Sequence, residues 1–117
     1  MDTAELVKEV KEVTNIDFLI NFMEQKTEMW ISYKKSKNTD YLFMVAFSKN
    51  RDVYFYREDG IVTIIDESVN GNILFNNAHI YLEEGYRIMY YKADAFEQCR
   101  IYLKDDSMYI ITLWKNT

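Results

Sequence analysis

From Met29 to Lys115 the sequence is a succession of short runs rich in isoleucine, valine, tyrosine and phenylalanine, separated by polar residues that suit turns. Such a succession is typical of antiparallel strands, and it constrains the fold more than any other feature of the chain. The dipeptides Asp59-Gly60 and Asn70-Gly71 favour tight hairpins, and Asp105-Asp106 is a weaker turn signal. The pattern predicts strands near residues 29–35, 41–48, 52–58, 61–67, 72–75, 79–83, 86–92, 98–104 and 107–115.

The N-terminal part has helical periodicity. In DTAELVKEVKEV, residues 2–13, the apolar residues recur at the spacing of one helix face. In the following VTNIDFLINFMEQK, Thr14 and Asp17 have capping-box spacing before a broad apolar stripe. Two helices are therefore expected within about residues 3–26, the second beginning near Asn15.

These elements predict an α+β fold, in which two N-terminal helices pack on a curved antiparallel β-meander over about residues 29–115. Partial closure of the meander toward a barrel and a cone with an internal pocket are the alternatives. A chain of 117 residues fits a single domain, residues 1–117.

The two hairpins predict which side chains share a face. A two-residue loop at Asp105-Asp106 pairs Tyr102 with Tyr109 and puts both on the face opposite Cys99. A two-residue loop at Asp59-Gly60 pairs Phe55 with Ile64 and leaves tyrosines on the other face. Tyrosine has a large apolar ring and a polar hydroxyl group, so it suits a solvent-exposed surface that binds another protein. The residues expected to bind a partner are therefore Tyr54, Tyr56, Arg100, Tyr102 and Tyr109.

No catalytic, cofactor-binding or metal-binding set is predicted. His79 is the only histidine, and no second histidine or cysteine accompanies it as a ligand. Cys99, the only cysteine, is expected to be a buried, inert thiol rather than a nucleophile served by His79. The three glycines are too far apart to cradle a phosphate, so no cofactor is expected.

Charge and composition bear on compartment and partners. The net charge of -5 disfavours nucleic acid and anionic membranes, and no segment approaches a membrane span. A single cysteine fits a reducing compartment, so a cytoplasmic protein is expected. The apolar stripe near the N-terminus would also allow a homodimer.

Three hypotheses of function remain. The first is a non-catalytic protein-binding module, such as an inhibitor or immunity-type protein that blocks a larger partner; acidic charge would steer it toward a basic, nucleic-acid-handling surface. The second is a pocket protein or simple acid–base enzyme that uses His79 or a buried carboxylate. The third is single-stranded nucleic-acid binding through aromatic and basic residues of MWISYKKSKN, namely Trp30, Tyr33, Lys34, Lys35 and Lys37.

Overall fold

The computed structural model of the chain describes residues 7–36, 38–67 and 75–115. Six strands form one antiparallel sheet in the order β1-β7-β8-β9-β2-β3, and three form a second sheet in the order β4-β5-β6. The described elements in chain order are β1 Glu9–Val13, α1 Ile16–Met23, β2 Glu28–Lys34, β3 Tyr41–Phe47, β4 Asp52–Tyr56, β5 Ile61–Glu67, β6 Phe75–Tyr81, β7 Arg87–Lys92, β8 Phe96–Tyr102 and β9 Met108–Trp114.

The hydrophobic core lies between the inner face of the six-stranded sheet, the three-stranded sheet and α1. Side chains from all three layers share it, and its fully buried members include Leu19, Met29, Ile31, Ile64 and Ile111. Within the described residues both sheets are open, with β1 and β3 at the edges of the larger one. The prediction of two N-terminal helices on a meander is therefore wrong, and the described chain is mostly β, with one helix and two sheets.

The first predicted helix is replaced by a strand where the chain is described. Strand β1 pairs antiparallel with β7, so that Glu12 lies opposite Met89 and Val13 opposite Ile88. The predicted helix face rests on only three apolar residues at helical spacing, Leu6, Val10 and Val13, which are too few to specify a helix, and β-branched residues favour strands. As a strand, this segment forms its backbone hydrogen bonds with the edge of β7. As a short helix, it would have to form them within itself, which is only marginally stable. Residues 3–6 of the predicted helix lie outside the described part.

The predicted start of the second helix near Asn15 is confirmed, but the capping residue is Asn15 and not Thr14 of the capping-box pattern. Asn15 is the N-cap, and its side-chain oxygen accepts a hydrogen bond from the Asp17 backbone N–H at 2.9 Å. The helix buries Leu19, Phe22 and Met23, as the broad apolar stripe predicts. It ends at Met23, about three residues earlier than expected.

The final hairpin differs from its predicted register by one residue. Tyr102 pairs with Met108, and Ile101 pairs with Tyr109, because the turn spans three residues and has Asp106 in the left-handed region at φ 70°. A shift of one residue moves every side chain of one strand to the other face. Cys99 keeps its predicted place on the core face, whereas Tyr109 joins it there instead of lying beside Tyr102.

The other hairpin turns where the Asp59-Gly60 signal predicts, with Gly60 at φ 62°. Its loop has four residues, so Phe55 pairs with Val62 rather than Ile64. A shift of two residues preserves the faces, and Val62 and Ile64 are buried as predicted.

The strand predicted at 79–83 is the end of a longer one, β6. The Asn70-Gly71 turn and residues 72–74 of the strand predicted at 72–75 lie outside the described residues.

Candidate protein-binding surface

The outer face of the six-stranded sheet carries a concentration of large apolar and aromatic side chains. Paired registers place alternate residues of each strand on this side, away from the core. We call it the aromatic face and define it by Trp30, Lys34, Tyr41, Met44, Met89, Tyr91, Phe96, Arg100, Tyr102, Met108, Ile110 and Trp114.

Several of these side chains remain open to solvent. The exposed fraction is 36% for Trp30, 46% for Tyr41, 51% for Met44 and 37% for Trp114. No described element packs over this side of the sheet, since the three-stranded sheet and α1 share the core on the other side. Tryptophan, tyrosine, methionine and arginine are the residues enriched where proteins bind one another.

The edge strand β3 carries exposed apolar side chains on both sides of the sheet. Tyr41, Leu42, Phe43 and Met44 are consecutive and between 43% and 60% exposed. The strand carries no charge, and none of the described strands pairs with its outer edge. A register shift interrupts the pairing of β3 with β2 between Tyr33 and Lys34. The strand nevertheless contains neither the lysine nor the proline that usually protects an edge, so its apolar residues indicate a place where another chain can dock.

Polar contacts hold the centre of the aromatic face in one arrangement. The Arg100 guanidinium lies over the Tyr91 ring, 4.3 Å from its centroid, and Arg100 Nε donates to Gln98 Oε1 at 3.1 Å. Gln98 in turn donates to Thr112 Oγ1 at 3.1 Å. The Tyr91 and Tyr102 hydroxyl oxygens are 3.4 Å apart. Because these groups are already ordered, binding to them freezes few torsions.

The Tyr91 hydroxyl stays protonated at neutral pH. The hydrogen bond with Tyr102 and burial raise the pKa of Tyr91, and the Arg100 charge opposes that rise. The face therefore presents the neutral Tyr91 hydroxyl group beside a cationic guanidinium.

The structure separates the five residues predicted to bind a partner. Arg100 and Tyr102 lie on the aromatic face. Tyr54 and Tyr56 lie on the outer face of the three-stranded sheet, 47% and 51% exposed. Tyr109 is only 8% exposed and packs in the core.

The five residues of the nucleic-acid hypothesis are also divided. Trp30 and Lys34 lie on the aromatic face, and Lys35 is exposed in the turn after β2. Tyr33 points to the core side, where its ring stacks on Phe43 at 5.7 Å between centroids and also contacts Tyr109. Lys37 lies outside the described residues.

The sequence patterns predict only four of the twelve residues of the aromatic face, namely Trp30, Lys34, Arg100 and Tyr102. The strand order β7-β8-β9-β2-β3 brings the other side chains to the same face as Trp30 and Tyr102, among them Tyr41, Met44, Tyr91, Phe96 and Trp114. The strand order is a long-range property, and the sequence held no direct signal for it. Alternation in the last strand could have put Trp114 on one face with Thr112 and Ile110.

His79 and Cys99 are far from a catalytic arrangement. His79 is exposed on the three-stranded sheet, with Nδ1 3.0 Å from Thr63 Oγ1. Cys99 is fully buried, and burial, with the Glu97 charge second, raises the pKa of its thiol. In the part of the chain that the structure describes, no group of histidine, cysteine and acidic residues could hold a metal ion.

A polar pocket of about 370 Å³ lies between α1 and the core-side face of β1, β7 and β8. Tyr90 donates a short hydrogen bond to Glu97 there, and Lys11 Nζ lies 5.4 Å from the centroid of the Tyr90 ring. Burial, followed by the bond to Glu97, raises the pKa of Tyr90. The acid–base hypothesis requires His79 or a buried carboxylate, and His79 does not line this pocket. Of the two carboxylates that line it, Glu9 is exposed and Glu97 accepts the Tyr90 hydrogen bond.

Comparison of the chain with protein-family models, with curated proteins and with solved structures found no match. No helix among the described residues is long and apolar enough to cross a membrane.

Proposed function

We propose that this chain is a non-catalytic protein-binding module that docks its partner on the aromatic face. The observation that carries the proposal is a sheet face with two exposed tryptophans and an ordered arginine–tyrosine centre, uncovered by any described element. Tryptophan, tyrosine and arginine dominate the binding energy of known interfaces when they cluster near the centre. An inhibitor or immunity-type role, in which the module blocks a larger partner, is one form of this function.

The aromatic face supports this function better than the other exposed tyrosines do. Tyr54, Tyr56 and Tyr81 form a second patch on the three-stranded sheet, each about half exposed. That patch has no tryptophan and no arginine among the side chains of its strands. It serves as the matched control surface.

The test is affinity capture from native lysate with three forms of the chain. In the face variant, Trp30→Ala is combined with Met44→Ala; in the control variant, Tyr54→Ala is combined with Tyr81→Ala. All four side chains are at least 36% exposed, so both variants should keep the fold, which circular dichroism checks. Tyr109 is unsuitable for such a test because it is buried.

We expect one stoichiometric protein to bind the unmodified chain and the control variant. Loss of a central tryptophan should weaken binding by about 2 kcal/mol or more, roughly thirtyfold in Kd, so the face variant should lose the partner. Loss of the partner from the control variant, but not from the face variant, would show that the binding site lies on the three-stranded sheet. Capture of nothing by any form would favour the pocket between α1 and β7.

A further inference from the structure

The aromatic face contains a shallow depression of about 280 Å³ with two cations at its rim. It is lined by Lys34, Tyr41, Arg100, Tyr102, Met108 and Ile110. Lys34 and Tyr102 flank Met108 on neighbouring strands, which puts their Cα atoms about 10 Å apart. Met108 and Ile110 are 4% and 8% exposed and form an apolar floor.

Neither cation has a carboxylate partner among the described residues. The ion pairs of the described chain join Lys8 to Asp94, Lys11 to Glu9, Arg57 to Asp17 and Arg87 to Glu12. Lys34 instead lies over the Tyr41 ring, 4.7 Å from the centroid, and Arg100 lies over Tyr91. In a chain with 19 acidic and 14 basic residues, two cations that line one depression without an acidic partner are unexpected.

We propose that this depression binds the carboxylate of an acidic side chain presented by the partner protein, next to an apolar side chain that contacts Met108 and Ile110. The inference rests on the proposed function and specifies the chemistry of the partner. Arg100 offers planar N–H donors for a carboxylate, and its Nε bond to Gln98 and stacking on Tyr91 fix its orientation. The partner segment is therefore acidic at this point, whatever the net charge of either protein.

A nucleic acid fits the depression less well. A polyanion would be attracted by two cations here but repelled by the net charge of -5. Glu12 and Glu28, on the same side of the sheet, would add to the repulsion. A single carboxylate needs only the two local cations. The apolar floor excludes water from this contact, which strengthens the electrostatic attraction between the carboxylate and the cations.

The test is selection from a random peptide display library against the unmodified chain. The same selection is run against a Lys34→Gln/Arg100→Gln variant, whose substitutions remove both charges and keep unbranched polar side chains. We expect glutamate or aspartate at one fixed position beside an apolar residue, with the acidic preference lost for the variant. A selected peptide should also bind at least about tenfold more weakly when its acidic residue is changed to the amide.

Three results would overturn the inference. Peptides that require Trp30 but show no acidic preference would leave the proposed function standing and remove only the carboxylate site. Equal affinity of the acid and amide peptides would do the same. Binding of a thymidine dodecamer that depends on Lys34 and Arg100, with no peptide selected, would overturn both proposals in favour of nucleic acid.

Discussion

Replacing Arg51 with methionine should lower the free energy of unfolding by about 3–5 kcal/mol, because the guanidinium satisfies several buried backbone carbonyls at once. Arg51 is 3% exposed. Its Nε donates to the Met23 carbonyl at 2.8 Å, and Nη2 donates to the Gln25 carbonyl at 2.7 Å. Nη1 donates to the carbonyls of Thr27 and Ser48.

These contacts join three parts of the fold. Met23 and Gln25 lie at the end of α1, where carbonyl groups lack intrahelical partners and a cation is favourable. Ser48 follows β3, and its N–H and hydroxyl both donate to the Asp66 carboxylate on β5. Burial lowers the pKa of Arg51 to about 10, and the Asp66 charge opposes this shift, so the group stays cationic at neutral pH.

Chemical denaturation of Arg51→Met measures the loss, with Arg57→Met as the matched control. The Arg57 side chain is 76% exposed and reaches Asp17 at 3.5 Å, so its removal should cost less than about 1 kcal/mol. Arg51→Lys should fall between them, because one ammonium keeps the charge but cannot reach every carbonyl. Equal losses for the two methionine variants would show that Arg51 does not join these elements.

The second large effect is expected at Ile111, on the core side of β9. Ile111→Ala should cost about 3 kcal/mol, since the side chain is fully buried and pairs with Cys99 on one side and Ile31 on the other. Ile110→Ala, one residue earlier on the opposite face, is the control. Its side chain lies under Lys34 and Arg100 rather than in the core, so the loss should be about half as large.

This pair also tests the register of the last hairpin. A two-residue loop at Asp105-Asp106 would put Ile110 in the core and Ile111 outside. A larger loss for Ile110→Ala than for Ile111→Ala in thermal or chemical unfolding would therefore restore that register and contradict the three-residue turn.

Local patterns predicted the individual strands better than their arrangement. The start of α1 at Asn15 and the turn at Gly60 follow from short-range chemistry, capping and positive φ, and both are present. Val10 and Val13 have the spacing of a helix face, but they are β-branched residues that also favour a strand, and the edge of β7 decides between the two structures.

The membership of the aromatic face also depends on the register and the pairing of distant strands. Tyr102 and Arg100 were correctly assigned to one side of β8, because alternation within a strand is local. Tyr109 was misassigned because one extra residue in the turn reverses the face of β9. Trp30 and Trp114 come together only through the pairing of β2 with β9, which no local pattern specifies.

Those two tryptophans are the only ones in the chain, and both belong to the aromatic face, so they report on it directly. The most direct measurement is fluorine NMR of the chain labelled with 5-fluorotryptophan, recorded alone and with the captured partner. The label is confined to this chain, so tryptophans of the partner do not interfere. We expect both signals to shift or broaden as the partner binds, because Trp30 and Trp114 become covered. Two unchanged signals, with complex formation shown independently by sedimentation, would contradict docking on the aromatic face.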